Sequence, residues 1–430
     1  MSNKTRAKNQ SMSILNRLFA GYTGPAFNVR FWDGSVWDMN QEQSPQFTLV
    51  LHHPGALKQM FFPPTERSLG EAFIYKDFDL EGDLYKAFHL ADYIQNQTWS
   101  FKDTLWYGWN LWTLPRKDRM TAGDDTNQVR GQIHSPERDR QAISYHYDVS
   151  NDFYALWLDK NMIYSCAYFS EKDLDIHTAQ ERKMEYICKK LRLQQGEYLL
   201  DIGCGWGGQI MYAAKQYGVK ALGITLSRNQ MEYARQQIKV RGLEELCEVK
   251  LLDYREISSD LRFDKIVSVG MVEHVGEEKL STYFNQAFQL LRPEGLFLNH
   301  GIASMYTDPH RDRASKNSFG DNYVFPDGEL TLINNMLHYA ESAGFEVRDV
   351  ESLREHYAQT LRHWVQRLQN KRQKALQHVD EKTYRIWKLF MSASAHGFEI
   401  GRLNLYQTLL AKPTREGSVG HPPTRADLYQ

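Results

Sequence analysis

The run Leu199-Leu200-Asp201-Ile202-Gly203-Cys204-Gly205-Trp206-Gly207-Gly208 constrains this chain more than any other segment. Apolar, β-compatible residues lead straight into a turn with glycine at 203, 205, 207 and 208. A buried parallel strand ending in such a turn lets backbone N–H groups approach a ligand, because glycine adopts φ > 0 freely and has no Cβ to hold the ligand away. Asp201 adds a carboxylate that can pair with a cationic group on that ligand. The pattern points to a nucleotide-like cofactor and an enzyme. A Gly-rich strand-to-helix turn without a ligand is the plainer alternative.

The spacing Gly203-x-Gly205-x-x-Gly208 also fits the dinucleotide fingerprint, which places an acid at the end of the next strand to hold ribose hydroxyls. That strand reads Ala221-Leu222-Gly223-Ile224-Thr225 and ends in threonine. An acid before the glycines is similar instead to S-adenosylmethionine-dependent methyltransferases, whose first strand ends in an acid followed by G-x-G.

With 430 residues the chain has room for roughly two or three domains. Its 52 basic and 53 acidic residues leave no global field that favours nucleic acid. Cys166, Cys188, Cys204 and Cys247 show neither a C-x-x-C nor a metal spacing, which fits free thiols in a reducing cytoplasm and no metal site. No apolar run reaches the roughly 18 residues of a membrane span, and no secretory pattern opens the chain. Lys4, Arg6, Lys8 and Arg17 surround Met12, Ile14, Leu15, Leu18 and Phe19, with no acid before Asp33. Such a basic amphipathic segment suits an anionic membrane surface; a frayed, solvated terminus is the alternative. The expected location is cytoplasmic, peripherally associated with the inner face of the membrane.

The pattern divides the chain into an N-terminal domain (1–114) that faces lipid or membrane, a linker (115–140), a catalytic domain (141–411) and a flexible tail (412–430). In the first, Asp33-Gly34 between β-compatible runs 27–32 and 35–39 predicts a hairpin. Residues 47–51, 72–75 and 78–82 read as further strands, and 54–62, 67–73 and 83–95 as helices, making a small α+β unit. Pro, Gly and charged residues mark 115–140 as a linker or mobile loop. Beyond 141, helices at 150–158, 177–192, 207–217, 227–241 and 278–292 alternate with strands at 198–203, 220–225, 247–253, 263–270 and 295–302. A further strand follows at 345–350. This alternation predicts an α/β fold with a parallel, Rossmann-like sheet. The stretch 356–410 reads as mainly helical.

Ligands of open α/β sheets sit at the carboxyl ends of the strands. Asp201 and Gly203, Thr225 with Ser227 and Gln230, Asp253-Tyr254-Arg255, Glu273-His274 and His300 all fall at such ends. Taken with Tyr145-His-Tyr-Asp-Val-Ser-Asn-Asp-Phe153, Tyr164-Ser-Cys-Ala-Tyr168, Ser268-Val-Gly-Met-Val-Glu-His-Val-Gly276 and Tyr323-Val-Phe-Pro326, these segments make residues 141–411 resemble the cyclopropane-fatty-acyl-phospholipid synthases of the mycolic acid methyltransferase superfamily. Residues 1–120 resemble the family's N-terminal domain only loosely.

The resemblance implies an S-adenosylmethionine-dependent methyltransferase sheet with a helical lid that includes Tyr145, His146 and Tyr147. It implies transfer of a methyl(ene) group to the cis double bond of an unsaturated phospholipid acyl chain, closing a cyclopropane with a bicarbonate ion as general base. The bicarbonate shell would be Cys166, Glu273, His300, Ile302 and Tyr357. Cys166 and Ile302 would offer backbone N–H groups, Glu273 would orient the ion, and His300 and Tyr357 would donate hydrogen bonds, with His356 as an alternative to Tyr357. The cofactor would meet Asp201 through its amino group, Gly203 and Gly205 through close backbone approach, and Thr225 and Gln230 near ribose and adenine. Asp253 and Tyr254 would meet the adenine, and Tyr164 and Ser165 would close over the methionine end. Methyl transfer to an alkene needs no covalent enzyme intermediate, so Cys166 is not expected to act as a thiolate. The segment from Asp312 to Phe325, next to Arg311 and with Arg313 and Lys316, would cover the acyl site near phospholipid headgroups or remain a solvated loop. A homodimer sharing one membrane face is compatible with this reading. Alternatives are a related C-methyltransferase that leaves a methyl branch, an N-methyltransferase of small amines, and a non-catalytic lipid carrier, which leaves the glycine turn unexplained.

Overall fold

The computed structural model describes residues 3–39, 43–116, 129–147, 149–171, 174–305 and 318–429. The basic stretch at 311–316 and residues 117–128 of the expected linker lie outside the described residues. The chain forms two compact units, each assembled from separate segments.

The first unit takes residues 1–126, 315–324 and 380–396. Its four-stranded sheet runs β2-β1-β3-β4, with β1 Phe27–Arg30, β2 Val36–Asp38, β3 Phe47–Leu51 and β4 Phe78–Gly82. The Asp33-Gly34 turn joins β1 and β2 as an antiparallel pair, and Gly34 supplies φ +83°. Residues 72–75 are not the expected strand: Ala72, Phe73 and Ile74 end the helix Glu66–Ile74. Its start is fixed by Thr65, whose side chain accepts the Ser68 N–H, and the apolar run then buries as the helix face. A helix over Phe101–Trp112, not foreseen from the sequence, is capped by Ser100.

Two later segments return to this unit. Tyr323 donates to Glu71 Oε1 at 3.0 Å, and Arg385 donates to the carbonyls of Phe73 at 2.8 Å and Phe78 at 3.1 Å. The stretch 141–411, expected as one continuous domain, is therefore interrupted at 315–324 and 380–396.

The second unit takes residues 127–314, 325–379 and 397–430. Its seven-stranded sheet has the order β10-β11-β9-β8-β5-β6-β7. The strands are β5 Tyr198–Ile202, β6 Lys220–Thr225, β7 Cys247–Leu251, β8 Phe263–Val269, β9 Leu291–Ser304, β10 Glu346–Ser352 and β11 Leu403–Ala411. Neighbours from β9 to β7 are parallel, but β11 lies antiparallel between β9 and β10. The sheet is thus mixed rather than parallel throughout, and 403–411 is a strand rather than helix. Gly401, at φ +76°, breaks the preceding helix Glu381–Glu399, and Leu405, Leu409 and Leu410 then bury within the sheet. Successive residues serve opposite faces: Leu199 packs in one core cluster and Leu200 in the other. Burying each such leucine stabilises the fold by about 2 kcal/mol.

Two further expectations change. Residues 136–140 belong to the helix Pro136–Tyr147, which starts on proline and carries Glu137 and Asp139 in its first turn. The tail beyond 411 is held down, with Arg425 donating to Asp349 at 2.7 Å, Asp427 pairing with Arg192 at 3.0 Å, and Leu428 buried.

The chain runs β5-β6-β7 to one side of the sheet and then crosses back to place β8 on the other side of β5. Their diverging carboxyl ends form a topological switch point, where open α/β sheets bind ligands.

Candidate active site

A cleft opens at that switch point. Its lining includes Tyr164, Ser165, Asp201, Gly203, Gly205, Thr225, Gln230, Asp253 and Tyr254, the complete set assigned to a cofactor above. Asp201 ends β5 with 2% exposure, and its Oδ1 finds no partner among the described residues. Burial pushes its pKa up to about 7, moderated by the nearby Lys183 ammonium. The turn after it requires glycine in two senses. Gly203 sits at φ +88°, and a Cβ there would come within 3.0 Å of Met271 Cβ. Gly205 sits at φ +53°, and a Cβ there would meet nothing within 4 Å. Its backbone faces open cleft, leaving a cradle for a ligand.

At the end of β6, the Thr225 hydroxyl donates to Gln230 Oε1 at 2.7 Å and accepts the Ser227 N–H. Gln230 therefore keeps its amide N–H groups for a ligand. Beyond β7, Asp253 accepts from the Arg255 backbone and from its guanidinium, at 2.9, 2.8 and 2.6 Å. Arg255 in turn reaches Asp139 at 2.8 Å and the His134 carbonyl at 3.2 Å. Both Asp253 oxygens are thus engaged by arginine, so an adenine edge must compete with or share that pairing. Tyr254 presents its ring edge-on to Tyr283, with centroids 5.6 Å apart.

Behind this cleft lies a buried polar cluster holding the residues assigned to the anion shell, none of which lines the cleft. Glu273, beyond β8, accepts the Ile302 N–H on Oε1 at 2.7 Å, while Oε2 has no partner among the described residues. Burial pushes its pKa up to about 7. The Ile302 N–H, expected to serve an anion, here anchors the carboxylate. His300, on β9, meets Gln407 through Nδ1 at 3.1 Å. Lys190 donates to Gln407 Oε1 at 2.8 Å, so the Gln407 amide nitrogen faces the ring and donates to Nδ1. The histidine proton therefore sits on Nε2, which also lacks a partner among the described residues. Burial, with help from Lys183 and Lys190, lowers the His300 pKa and keeps the ring neutral.

Cys166 is fully buried and its thiol pKa is pushed far up by burial, which disfavours a thiolate nucleophile. Tyr357 is the aromatic brought to this cluster: burial, then Cys166 and Glu273 nearby, raise its pKa. His356 is occupied elsewhere, accepting the Phe169 N–H on Nδ1 at 3.0 Å and stacking on Tyr168.

An aromatic cluster adjoins both regions: Tyr147 and Tyr164 line the cleft and lie close to Glu273 and Tyr357 respectively. Tyr164 packs with its ring centroid 5.6 Å from His146, 6.0 Å from Tyr147 and 5.3 Å from Trp364. His146 stacks on Phe325 at 3.8 Å. Tyr145 is exposed, so only the other two members of the assigned lid trio join this aromatic cluster. His274 also lines the cleft, and burial lowers its pKa to about 4. Aromatic faces stabilise cationic charge without reacting with it.

Sequence reasoning missed Lys183, which also lines the cleft and donates to Ser165 Oγ at 3.0 Å. The signal was present: Lys183 falls four residues after Ala179 and four before Ile187, on the buried face of helix Ile176–Leu191. A lysine in phase with an apolar stripe is a charge held inside for a reason.

Comparison with known proteins gives the same outline. The mycolic acid cyclopropane synthetase family profile matches residues 134–408, and a domain of unknown function matches residues 14–103. A probable fatty acid methyltransferase from Pseudomonas putida is 42% identical over 402 residues, covering 94% of this chain and 96% of its own. The cyclopropane-fatty-acyl-phospholipid synthase of Escherichia coli K12 is 35% identical over 272 residues, covering 63% of this chain and 68% of its own. Among solved structures, the cyclopropane synthase MmaA2 from Mycobacterium tuberculosis superposes with a TM-score of 0.60 at 31% identity, over 64% of this chain and 98% of that one. The mycolic acid cyclopropane synthase CmaA1 complexed with SAH and CTAB gives 0.59 at 33% identity, over 63% and 97%.

Proposed function

This chain belongs to the mycolic acid cyclopropane synthetase family and is an S-adenosylmethionine-dependent methyltransferase; from that premise we propose that it transfers a methyl(ene) group to the cis double bond of unsaturated phospholipid acyl chains, closing a cyclopropane, with bicarbonate as the base. The observation that carries this reading is the pair of unpartnered buried atoms, Glu273 Oε2 and His300 Nε2. Leaving them unsatisfied costs roughly 1–3 kcal/mol each. One acceptor and one donor suit a small ion that has both an O–H and an anionic oxygen.

When bound, the cofactor supplies an electrophilic methyl group and bicarbonate a weak base. The chain's own residues do the rest. Asp201 and the 203–208 turn hold the methyl donor. Glu273, fixed by the Ile302 N–H, accepts a hydroxyl proton on Oε2, and His300 donates from Nε2. Tyr147, Tyr164 and Trp364 keep water away from a developing cation.

A bilayer partner is supported by the first unit. Helix Phe101–Trp112 exposes Phe101, Leu105, Trp109 and Trp112 at 78%, 58%, 65% and 58%, a stripe with spacings of four, four and three. The helix Asn3–Leu18, which has no acid, packs beside it through Gln10 to the Asn110 carbonyl at 2.6 Å and Arg17 to Asp103 at 2.6 Å. Aromatic residues beside a basic helix suit the interface of an anionic membrane. Among the described residues no helix is long and apolar enough to cross one.

The test is expression in a host lacking cyclopropane lipids, followed by mass spectrometry and proton NMR of the phospholipid fatty acids. A gain of one CH2 on unsaturated chains with cyclopropane ring protons is the expected result. A gain of one CH2 with the double bond retained would favour a methyl-branched product, the reading closer to the Pseudomonas putida relative's name. Unchanged lipids, with methylation of an added amine, would sink both.

A further inference from the structure

His300 belongs to a polar row that crosses three strands. Glu351 on β10 stands directly opposite Gln407 on β11, and Gln407 directly opposite His300 on β9. Directly opposed residues project to the same face of a sheet, so the three side chains lie side by side. Glu351 is on the edge strand and forms the outer end of the row, whereas Gln407 and His300 are buried. Lys190 closes the row from the last turn of helix Ile176–Leu191. It is fully buried and donates both to Glu351 Oε2 and to Gln407 Oε1. Its ammonium also lies 3.7 Å from Asp349 Oδ2 and 4.5 Å from the centre of the Tyr186 ring. These groups offset the cost of burying the charge. A packed apolar side chain often serves stability as well as a buried ion pair does, so the ammonium points to another task. An ammonium carries donors only. The Gln407 atom that faces it is therefore the oxygen, and the amide nitrogen is turned to His300 Nδ1. Without Lys190 the amide is free to reverse, to present its oxygen to Nδ1 and to draw the ring proton there. His300 Nε2 would then be an acceptor beside the acceptor Glu273 Oε2, and this pair of buried atoms would lose its donor.

We propose that Lys190, held by Glu351, is a positioning residue for the reaction: through the Gln407 amide it keeps the His300 proton on Nε2. Its effect on turnover rests on His300 serving as a hydrogen-bond donor in the proposed function; the place of the proton does not, and the test reads the two separately. The full chain is produced with isotope-labelled histidine, and His300 is assigned by the resonances lost in His300→Gln. Long-range proton–nitrogen correlation spectra report which ring nitrogen carries the proton. The wild type is expected to show a neutral His300 protonated on Nε2. Lys190→Met keeps the length and burial of the side chain and is expected to give a mixture of the Nε2–H and Nδ1–H forms. Its kcat on vesicles of unsaturated phospholipid should fall about tenfold, the scale of one hydrogen bond in a buried network. Its affinity for S-adenosylhomocysteine should stay within about threefold, which also reports a folded cleft. A purely structural lysine would leave the proton where it is. A Lys190→Met protein with His300 wholly in the Nε2–H form, or a wild type with the proton on Nδ1, overturns the proposal. A shifted proton with unchanged kcat overturns the role in the reaction, and a His300→Gln protein with full turnover overturns the reading on which that role rests. Should Lys190→Met not fold, Lys190→Gln decides by the same spectra, because its amide can face Gln407 with either a donor or an acceptor. Mixed tautomers there support the proposal and a single Nε2–H form overturns it.

Discussion

Asp201 and Glu273 are both carboxyls that burial raises to about 7, yet they stand in different surroundings. Asp201 lines an open cleft with the Lys183 cation acting on it. Glu273 lies off the cleft, its one oxygen fixed by a backbone N–H and its charge felt by the neutral phenols of Tyr147, Tyr283 and Tyr357. In the first environment, a ligand cation that enters the cleft would fix the carboxylate in its ionised form. The second makes the gain or loss of a proton nearly balanced at neutral pH, which suits proton handling. On the proposed reading, the same residue chemistry is divided between cofactor binding and proton handling by what surrounds it.

Glu273→Gln should break this division most sharply. Turnover is expected to fall about 100-fold or more, the scale of a lost acid–base group, while S-adenosylhomocysteine affinity stays within about threefold. A matching loss of cofactor affinity, measured by calorimetry, would place Glu273 in the cleft instead.

The pH dependence of cofactor binding tests the binding half. Asp201 must ionise to hold an ammonium, and its ligand-free pKa is about 7. Affinity for S-adenosylhomocysteine should therefore rise about eightfold between pH 6 and pH 7.5. Asp201→Asn should abolish this dependence. Stability carries the opposite sign. In the unfolded chain both carboxyls ionise at about 4, whereas in the folded chain they keep their protons to about 7. Between those values the folded state binds more protons, so the melting temperature of the ligand-free protein should fall as pH rises through that window. Asp201→Asn and Glu273→Gln should each flatten the slope.

A smaller effect is expected from Gln407→Leu, which removes the donor that fixes the His300 tautomer. Turnover should drop about tenfold, the scale of one hydrogen bond in a buried network, with cofactor binding unchanged. Smallest is Thr225→Ala, which frees Gln230 Oε1 and should shift S-adenosylhomocysteine affinity by about threefold with no change in turnover at saturation.

The cleft was the more legible half in the sequence. Strand-end placement is local: an apolar run, a glycine and a polar residue suffice to put Asp201, Thr225 and Asp253 on one edge. What the sequence hid was non-local. β11 is a strand because β9 and β10 flank it, although its leucines are equally good helix formers, and residues 72–74 are helical because the Thr65 cap sets their phase. The Gln407 contact behind His300 and the use of the Ile302 N–H by Glu273 join residues distant in sequence, whereas the Arg255 pairing of Asp253 is local and turns on a side-chain conformation that the sequence does not encode. Lys183 is the intermediate case, in helical phase with Ala179 and Ile187 but at no strand end that would mark it.

The division between cofactor binding and proton handling is tested most directly by turnover and cofactor binding measured side by side with bicarbonate depleted and restored. The expected result is a rate that collapses on depletion and recovers on addition of bicarbonate, with S-adenosylhomocysteine affinity the same throughout. A full rate without bicarbonate, or an affinity that follows the ion, would contradict the assignment of the buried Glu273 and His300 cluster.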